Sequence, residues 1–439
     1  MRSLLGHTRT YPLMNVPIDR LSRLNPEVHL LVLLAFFWVF ISVFMPHEGH
    51  PLDMPTWADW IIYMQQHGLR HVYELHTRPE PGQPPGFIYG PVYMYLLYIY
   101  GKWPGSIEGI RETIYQFKSV ILIFDVLGIW FALRYVRDKV SLPFYALLLL
   151  FNVGLLYDTV GWAQADSVIT CLMFMAMHYA LQKRLTISGL CIIIALLIKP
   201  QPIVFLPAFF LIWLPVVLNS SVRRLLLTGL AIFTGGVFLL TPFLLAGTAV
   251  DYWTMLSHSA QLHTVVSVRA ANIWPLLLTE DPYAIPDTVV RFGLSYRQWG
   301  LLMFAIGYVF VLFPLSQQTY QIIIRKRARY DTALVLLTFG LLPVVFYFFN
   351  TQMHERYAHP SVLFLAAYAL YTGRFVLYIV VSIANFWVME TELWLLKLYR
   401  VYQLVTLEQV AVLFLLVLVW GTLKLYRTSA RISAETISD

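Results

Sequence analysis

Residues 225–246 read LLLTGLAIFTGGVFLLTPFLLA, 22 positions without a charged side chain, preceded by Arg223 and Arg224. About 20 such residues are what an α-helix needs to cross the hydrocarbon of a bilayer. Working outward, further apolar runs fall near 28–46, 115–135, 141–158, 166–182, 185–199, 201–219, 299–317, 332–350, 359–373, 375–390 and 407–425. Of the 439 residues 59% are hydrophobic and only 13% charged, against about 25% charged in a soluble domain. A water-soluble enzyme, a disordered scaffold and a disulfide-stapled secreted domain are excluded. The fold class is an all-α polytopic membrane protein, one integral-membrane domain over 1–439 with about twelve transmembrane helices.

The formal charge of +7 does not indicate nucleic acid, because the cations sit in short clusters between apolar runs. With the N-terminus inside, the inside loops collect Arg2, Arg9, Arg20, Arg23, Arg134, Arg137, Lys139, Lys183, Arg184, Arg223, Arg224, the cluster from Arg325 to Arg329, Arg374, Lys424, Arg427 and Arg431, 19 of the 31 cations. That bias orients a membrane protein with both termini inside. The weakest turn is at 375–407, where Arg374 stands alone. Residues 1–25 lack a cleavable signal pattern, so the first run is expected to stay as an anchor. Cys171 and Cys191 lie inside apolar runs and suggest neither a disulfide framework nor a zinc site.

Two outer loops are long. Segment 47–114 is rich in His, Trp, Tyr and Pro, and its pieces from Trp57 to Gly68 and from Tyr89 to Trp103 read as interfacial helices. Segment 247–298 carries Arg269, Asn272 and Trp274. No internal repeat is evident, which weakens a transporter built from inverted halves.

Ionisable groups at the edges of apolar runs are expensive, and so are candidates for function. On this topology Asp53, Asp59, Asp158, Asp166, Lys199, Arg269, His354, Glu355 and Arg356 converge near the outer face. A carboxylate can take a proton from a hydroxyl nucleophile, and cations can hold a phosphate leaving group. Each residue also has a plainer reading. Asp53 could cap the helix that starts near Pro55, and Asp59 could lie on a solvated face. Asp166 or Ser167 could cap the following span, and Lys199 could snorkel to the headgroups. His354-Glu355-Arg356 could be an interfacial ion-pair cluster, and Lys118 with Asp125 a structural pair. His47, His50 and Asp53 have a spacing that a metal could use, but they lie in a loop without the HExxH pattern, so metal-independent chemistry is favoured.

Four stretches carry a resemblance. They are Asp53 with Trp60, Gly68, Tyr73 and Tyr89-Gly90-Pro91-Val92-Tyr93; Gly161-Trp162-Ala163-Gln164-Ala165-Asp166-Ser167; Ile198-Lys199-Pro200-Gln201; and Gln352-Met353-His354-Glu355-Arg356-Tyr357, with Ala270-Ala271-Asn272-Ile273-Trp274 upstream. In this order, over residues 50–360, they resemble the GT-C class of glycosyltransferases. The nearest likeness is to bacterial and archaeal relatives of GPI-anchor mannosyltransferase II; the asparagine-linked glycosylation glucosyltransferases are more distant. The resemblance implies a GT-C-like bundle that moves a hexose such as mannose or glucose from a polyprenyl-phosphate carrier at the outer face of a prokaryotic plasma membrane. The acceptor would be a hydroxyl of a lipid-linked glycan, polysaccharide or glycolipid. It implies Asp53 as general base, with Lys199, His354, Arg356 and Arg269 at the donor phosphate. Gln164, Asp166, Trp60, Tyr89 and Asn272 would line the sugar or acceptor side. Relatives often have Asp-Tyr-Pro-Pro where this chain has Ile88-Tyr89-Gly90-Pro91, so an acidic residue is replaced here.

Two rival classes remain. A lipid-carrier flippase or transporter would string its charges along a path near the midplane, whereas these gather at one face. An acyltransferase would need a nucleophilic set of the Ser/His/Asp kind, and none is evident.

Overall fold

The computed structural model describes residues 26–47, 49–79, 83–137, 141–259, 263–325, 329–398, 401 and 404–438. Of the inside cations, Arg2, Arg9, Arg20, Arg23, Lys139, Lys326 and Arg327 lie outside the described residues. Every apolar run is helical. Among the described residues seven helices are long and apolar enough to cross a membrane: Ile107–Leu133, Gln201–Leu218, Val222–Ala246, Tyr296–Ile324, Thr332–Phe349, Val376–Leu393 and Leu407–Ile432. The pair Leu142–Leu150 and Val153–Trp162, bent by 42°, has the length and composition of a broken span or a re-entrant loop. The remaining four, Glu27–Val43, Asp166–Leu181, Leu185–Leu196 and Pro360–Thr372, are shorter. Against about twelve expected spans, the described residues thus hold seven helices of spanning length, eight with the bent pair counted as one, and four shorter apolar helices. Asp166–Leu181 and Pro360–Thr372 are buried along nearly their whole length, so they face protein and need not match the lipid thickness.

Chemistry explains the breaks. The bend follows Asn152, whose Oδ1 accepts from the Leu155 amide and whose Nδ2 donates to Ser382 Oγ. The second half ends in a wide turn over Asp158–Trp162, and Ala163 then takes a left-handed φ of 59°. Such wide turns in helices often mark functional sites. The uncertain turn after Arg374 is made by Gly373, φ +72°, whose amide caps the carbonyl of Ala369. That glycine cap was the signal for the reversal.

In segment 47–114 the two expected helices are present, and both bury residues against the rest of the protein. Helix Asp53–His67 buries Trp57, Trp60, Ile61 and Met64, and Trp57 packs edge-on against Tyr93 and Phe117. Helix Pro91–Tyr100 docks on the turn at Leu197 and Ile198: the Gly90 amide donates to Ile198 O and the Val92 amide to Leu197 O. In the second outer loop, Ser267–Val268 pairs in parallel with Met353–His354. A hairpin of Val290–Arg291 with Leu294–Ser295 leads into a capping box at Ser295, which starts helix Tyr296–Ile324. Helix Val222–Ala246 is the most exposed: Leu226, Leu230, Phe233, Phe238 and Leu245 all point outward, as a lipid-facing surface requires.

Gly90 sits where a Cβ would run into the carbonyl of Leu197. Gly90→Ala should therefore push the Tyr89 segment off the Lys199 turn and cost about 1–3 kcal/mol, the usual range for overpacking. Thermal unfolding in detergent measures this; an unchanged midpoint would show that the two segments are not rigidly docked.

Candidate functional site

Asp53 lies in the first turn of its helix, but its side chain makes no cap there. Instead Oδ2 accepts from Trp162 Nε1 at 2.7 Å and from Gln164 Nε2 at 2.8 Å. Oδ1 is left 3.6 Å from His50 Nδ1. His50 Nδ1 accepts the Asp53 amide at 3.1 Å, and its ring stacks on Trp162 at 4.5 Å. Burial pulls the His50 imidazole below its usual pKa, more than Asp53 raises it, so a neutral acceptor ring is favoured. Two donors thus fix one oxygen of Asp53, and the residue lines a cavity of about 700 Å³.

Lys199 and Arg356 form the floor of that cavity. Lys199 Nζ meets Asp166 Oδ2 at 3.0 Å and lies 4.9 Å from the centre of the Tyr89 ring. Arg356 Nε is 3.5 Å from the same Asp166 oxygen, its Nη1 binds Glu355, and its guanidinium lies over Trp162. All four charged groups are buried. Burial alone would raise the Glu355 carboxyl. Arg356, with His354, more than reverses this and holds it at about 2, below its usual 4.5.

The remaining wall comes from the second outer loop. His263, Arg269, Tyr283 and Arg297 line the cavity there, with His354 opposite the strand Ser267–Val268. Arg269 and His354 form a backbone bridge, and the Gln352 amide reaches the carbonyls of Val265 and Val266. Arg269 (φ 54°) and Gln352 (φ 62°) both hold left-handed backbones that side chains disfavour, a strain common in binding loops. Arg269 pairs with Glu392 at 2.8 Å. His263 and His354 meet edge to face at 4.7 Å.

The structure therefore brings Asp53, Trp60, Tyr89, Lys199, Arg269, His354 and Arg356 to one cavity. Three of the residues expected to touch sugar or acceptor are placed behind its wall. Gln164 is fully buried, with Nε2 on Asp53 and Oε1 accepting from the Tyr89 hydroxyl at 2.8 Å. Asp166 holds the two floor cations. Asn272 accepts the Trp274 amide and starts the short helix Ile273–Leu277. Trp60 offers only its ring, because Nε1 donates to Pro85 O. Asp59 pairs with the exposed Arg111. Lys118 reaches Pro46 O. Asp158 is buried against Ser167. Among the described residues no three His, Cys, Asp or Glu are placed to share a metal; His47 stacks on Tyr115 instead.

His263, Tyr283, Arg297 and Glu392 were missed from the sequence. Glu392 carried a signal, being an acid near the end of an apolar run. His263 and Tyr283 lie in a loop with no periodicity, and Arg297 lies in the first turn of helix Tyr296–Ile324.

The model of glycosyltransferase family 87 matches residues 87–313, just over half of the chain. No curated protein matches it. The matched segment holds Tyr89, Trp162, Asp166, Lys199, Arg269 and Arg297, and leaves Asp53 and His354–Tyr357 outside.

Two outcomes test this geometry. Asp166→Ala would strand Lys199 in a buried site and leave Arg356 with Glu355 alone, and should cost about 3–5 kcal/mol, whereas Asp59→Ala, at an exposed pair, should cost at most about 1 kcal/mol. Glu355 binds its proton less tightly when folded than when unfolded, so its contribution is present above about pH 4.5 and lost as pH falls toward 2. The gap in unfolding midpoint between the native protein and Glu355→Gln should be constant from pH 7 to about 5 and narrow by about pH 3. A gap that widened on acidification would contradict the pairing.

Proposed function

Since the chain belongs to glycosyltransferase family 87, and is thus an integral-membrane glycosyltransferase of the GT-C type, we propose that it moves a hexose from a polyprenyl-phosphate carrier to a hydroxyl with inversion. The acceptor is a lipid-linked glycan, polysaccharide or glycolipid, and the reaction takes place at the outer face of a prokaryotic plasma membrane. The kinship with GPI-anchor mannosyltransferase II and the asparagine-linked glucosyltransferases belongs to this proposal. A lipid carrier explains why the catalyst is itself a membrane bundle, since the polyprenyl tail can stay among the helices.

The observation that carries the reading is the Asp53 carboxylate, one oxygen held by Trp162 and Gln164, on a cavity shared with Lys199, Arg356 and His354. An acceptor hydroxyl is far too weak an acid to ionise at neutral pH, so it needs a placed base as it attacks. Oδ1 of Asp53 takes the hydroxyl proton. The acceptor oxygen bonds to the anomeric carbon from the side opposite the leaving group. The bond from that carbon to the phosphate oxygen breaks, and its electron pair leaves with the lipid phosphate. One displacement inverts the anomeric centre. The cations of the cavity stabilise the charge that appears on the phosphate, so the step needs no cofactor. Gln164 and Trp162 act through Asp53 by fixing the oxygen that does not take the proton.

Asp53→Asn separates this role from a structural one. Asn keeps the size and one acceptor oxygen for Trp162 and Gln164, but cannot take a proton. The variant should fold, insert and bind the lipid-linked sugar, yet transfer it at least about 100-fold more slowly, the low end for loss of a general base. Asp59→Asn should be nearly silent. Purified protein, a panel of polyprenyl-phosphate hexoses and a measurement of released carrier phosphate suffice. Near-native transfer by the Asp53 variant would sink the assignment.

A further inference from the structure

Charge on the cavity is unevenly matched. Four cations belong to the site: Lys199, Arg269, Arg297 and Arg356. Lys199 is paired with Asp166, Arg356 with Glu355 and Asp166, and Arg269 with Glu392. Arg297 is exposed on the cavity wall, and among the described residues no carboxylate or side-chain acceptor engages its guanidinium. Its backbone, in contrast, is firmly held. The Arg297 amide donates to Asp287 O at 2.9 Å, and the Asp287 amide donates to Thr264 O. The buried Asp287 carboxylate accepts from Gln352 Nε2 at 2.6 Å. Gln352 lies two residues before His354, so one scaffold sets Arg297, His354 and His263 on the same wall. Burial, with His354 and Arg356 close by, holds His263 below its usual pKa, which leaves a neutral ring able to donate one N–H.

We infer that Arg297, with His354 and His263 beside it, is the surface that holds the lipid phosphate, while Lys199 and Arg356 chiefly shape the floor. The inference rests on the proposed transfer from a polyprenyl-phosphate donor and adds to it where the moving charge is matched. The donor is a phosphodiester with one negative charge. After transfer the leaving group is a phosphomonoester that carries close to two at neutral pH. Over the same step Asp53 accepts the hydroxyl proton and becomes neutral. One unit of negative charge therefore passes from the Asp53 side to the phosphate. Lys199 and Arg356 are committed to buried carboxylates, and withdrawing them would leave those carboxylates unpaired. Arg297 is free to meet the new charge and has the planar fork suited to phosphate oxygens.

The test compares Arg297→Gln, Arg297→Lys and Arg291→Gln in the full-length protein in lipid nanodiscs. Arg291 is an exposed cation of the hairpin just before the Arg297 helix and does not line the cavity, so its loss controls for general charge. Binding of polyprenyl phosphate is measured directly, alongside KM and kcat for the polyprenyl-phosphate hexose. In Arg297→Gln, affinity for polyprenyl phosphate should fall at least about tenfold, the scale of one charge-assisted contact. It should fall more than affinity for the singly charged donor, because the product carries the extra charge. Lys should restore most of the loss, and Arg291→Gln should match the native protein, with unchanged unfolding midpoints throughout. Equal weakening of donor and product, or native affinity in Arg297→Gln, would overturn the inference. If polyprenyl phosphate binds in an Arg297-dependent way but no polyprenyl-phosphate hexose is turned over, the phosphate surface stands and the proposed reaction falls. Failure of the native protein to bind polyprenyl phosphate would overturn both.

Discussion

A single buried carboxylate, Asp166, joins three loops that are far apart in sequence. It stands at the start of one short helix, faces Lys199 from the turn after another, and faces Arg356 from the loop before a third. None of these charges could remain in so dry a place alone, because an unpaired buried ion costs several kcal/mol. Their pairing therefore fixes where each loop can sit. The rest of the site leans on that arrangement. The Tyr89–Gly90 segment docks on the Lys199 turn through backbone hydrogen bonds, and Trp162 touches both Arg356 and His50 while donating to Asp53. The position of Asp53 is thus set from beneath, by charges that do not touch its carboxylate directly.

The helices were legible in the sequence because lipid imposes a simple rule, uninterrupted apolar length, and each run obeyed it. Helix length was less legible, since a helix surrounded by protein has no lipid thickness to match; Asp166–Leu181 and Pro360–Thr372 are cases of this. The reversal after Thr372 depended on one glycine rather than on charge. At the site, Asp53, Lys199, His354 and Arg356 could be read because charges beside apolar runs are rare enough to stand out. Their partners could not. That Gln164 would turn its two ends to Tyr89 and Asp53, or that Asn272 would serve a helix end rather than the cavity, follows from side-chain direction. His263 gave no signal, because its loop is arranged by a two-residue parallel pair that no periodicity announces, and the place of Arg297 in the first turn of a helix does not say which way its side chain turns.

The segment matched by glycosyltransferase family 87 and the residues that complete the cavity are distinct in sequence. The former supplies Lys199 and Asp166 of the floor, the Tyr89 segment and segment 247–298. The latter add Asp53 from one side and the His354 loop from the other. Two backbone devices, the docking at Gly90 and the pairing of Ser267–Val268 with Met353–His354, stitch these parts together. Both use main-chain hydrogen bonds, which constrain position tightly while leaving neighbouring side chains free to differ.

The short helices also bear on a reaction the enzyme has to avoid. At about 1.5 Å per residue, the 16 residues of Asp166–Leu181 span roughly 24 Å, some 6 Å less than the hydrocarbon of a typical bilayer. The helix can be this short because protein surrounds it, and Asp166 with the two cations it pairs is buried at its start. Water is a far more abundant nucleophile than any sugar hydroxyl, and a sugar activated on a phosphate is open to either. In the floor, Lys199 lies against the Tyr89 ring and Arg356 over the Trp162 ring, and both cations are buried. Excluding water favours transfer over hydrolysis, and a floor whose charges are already paired and buried serves that end.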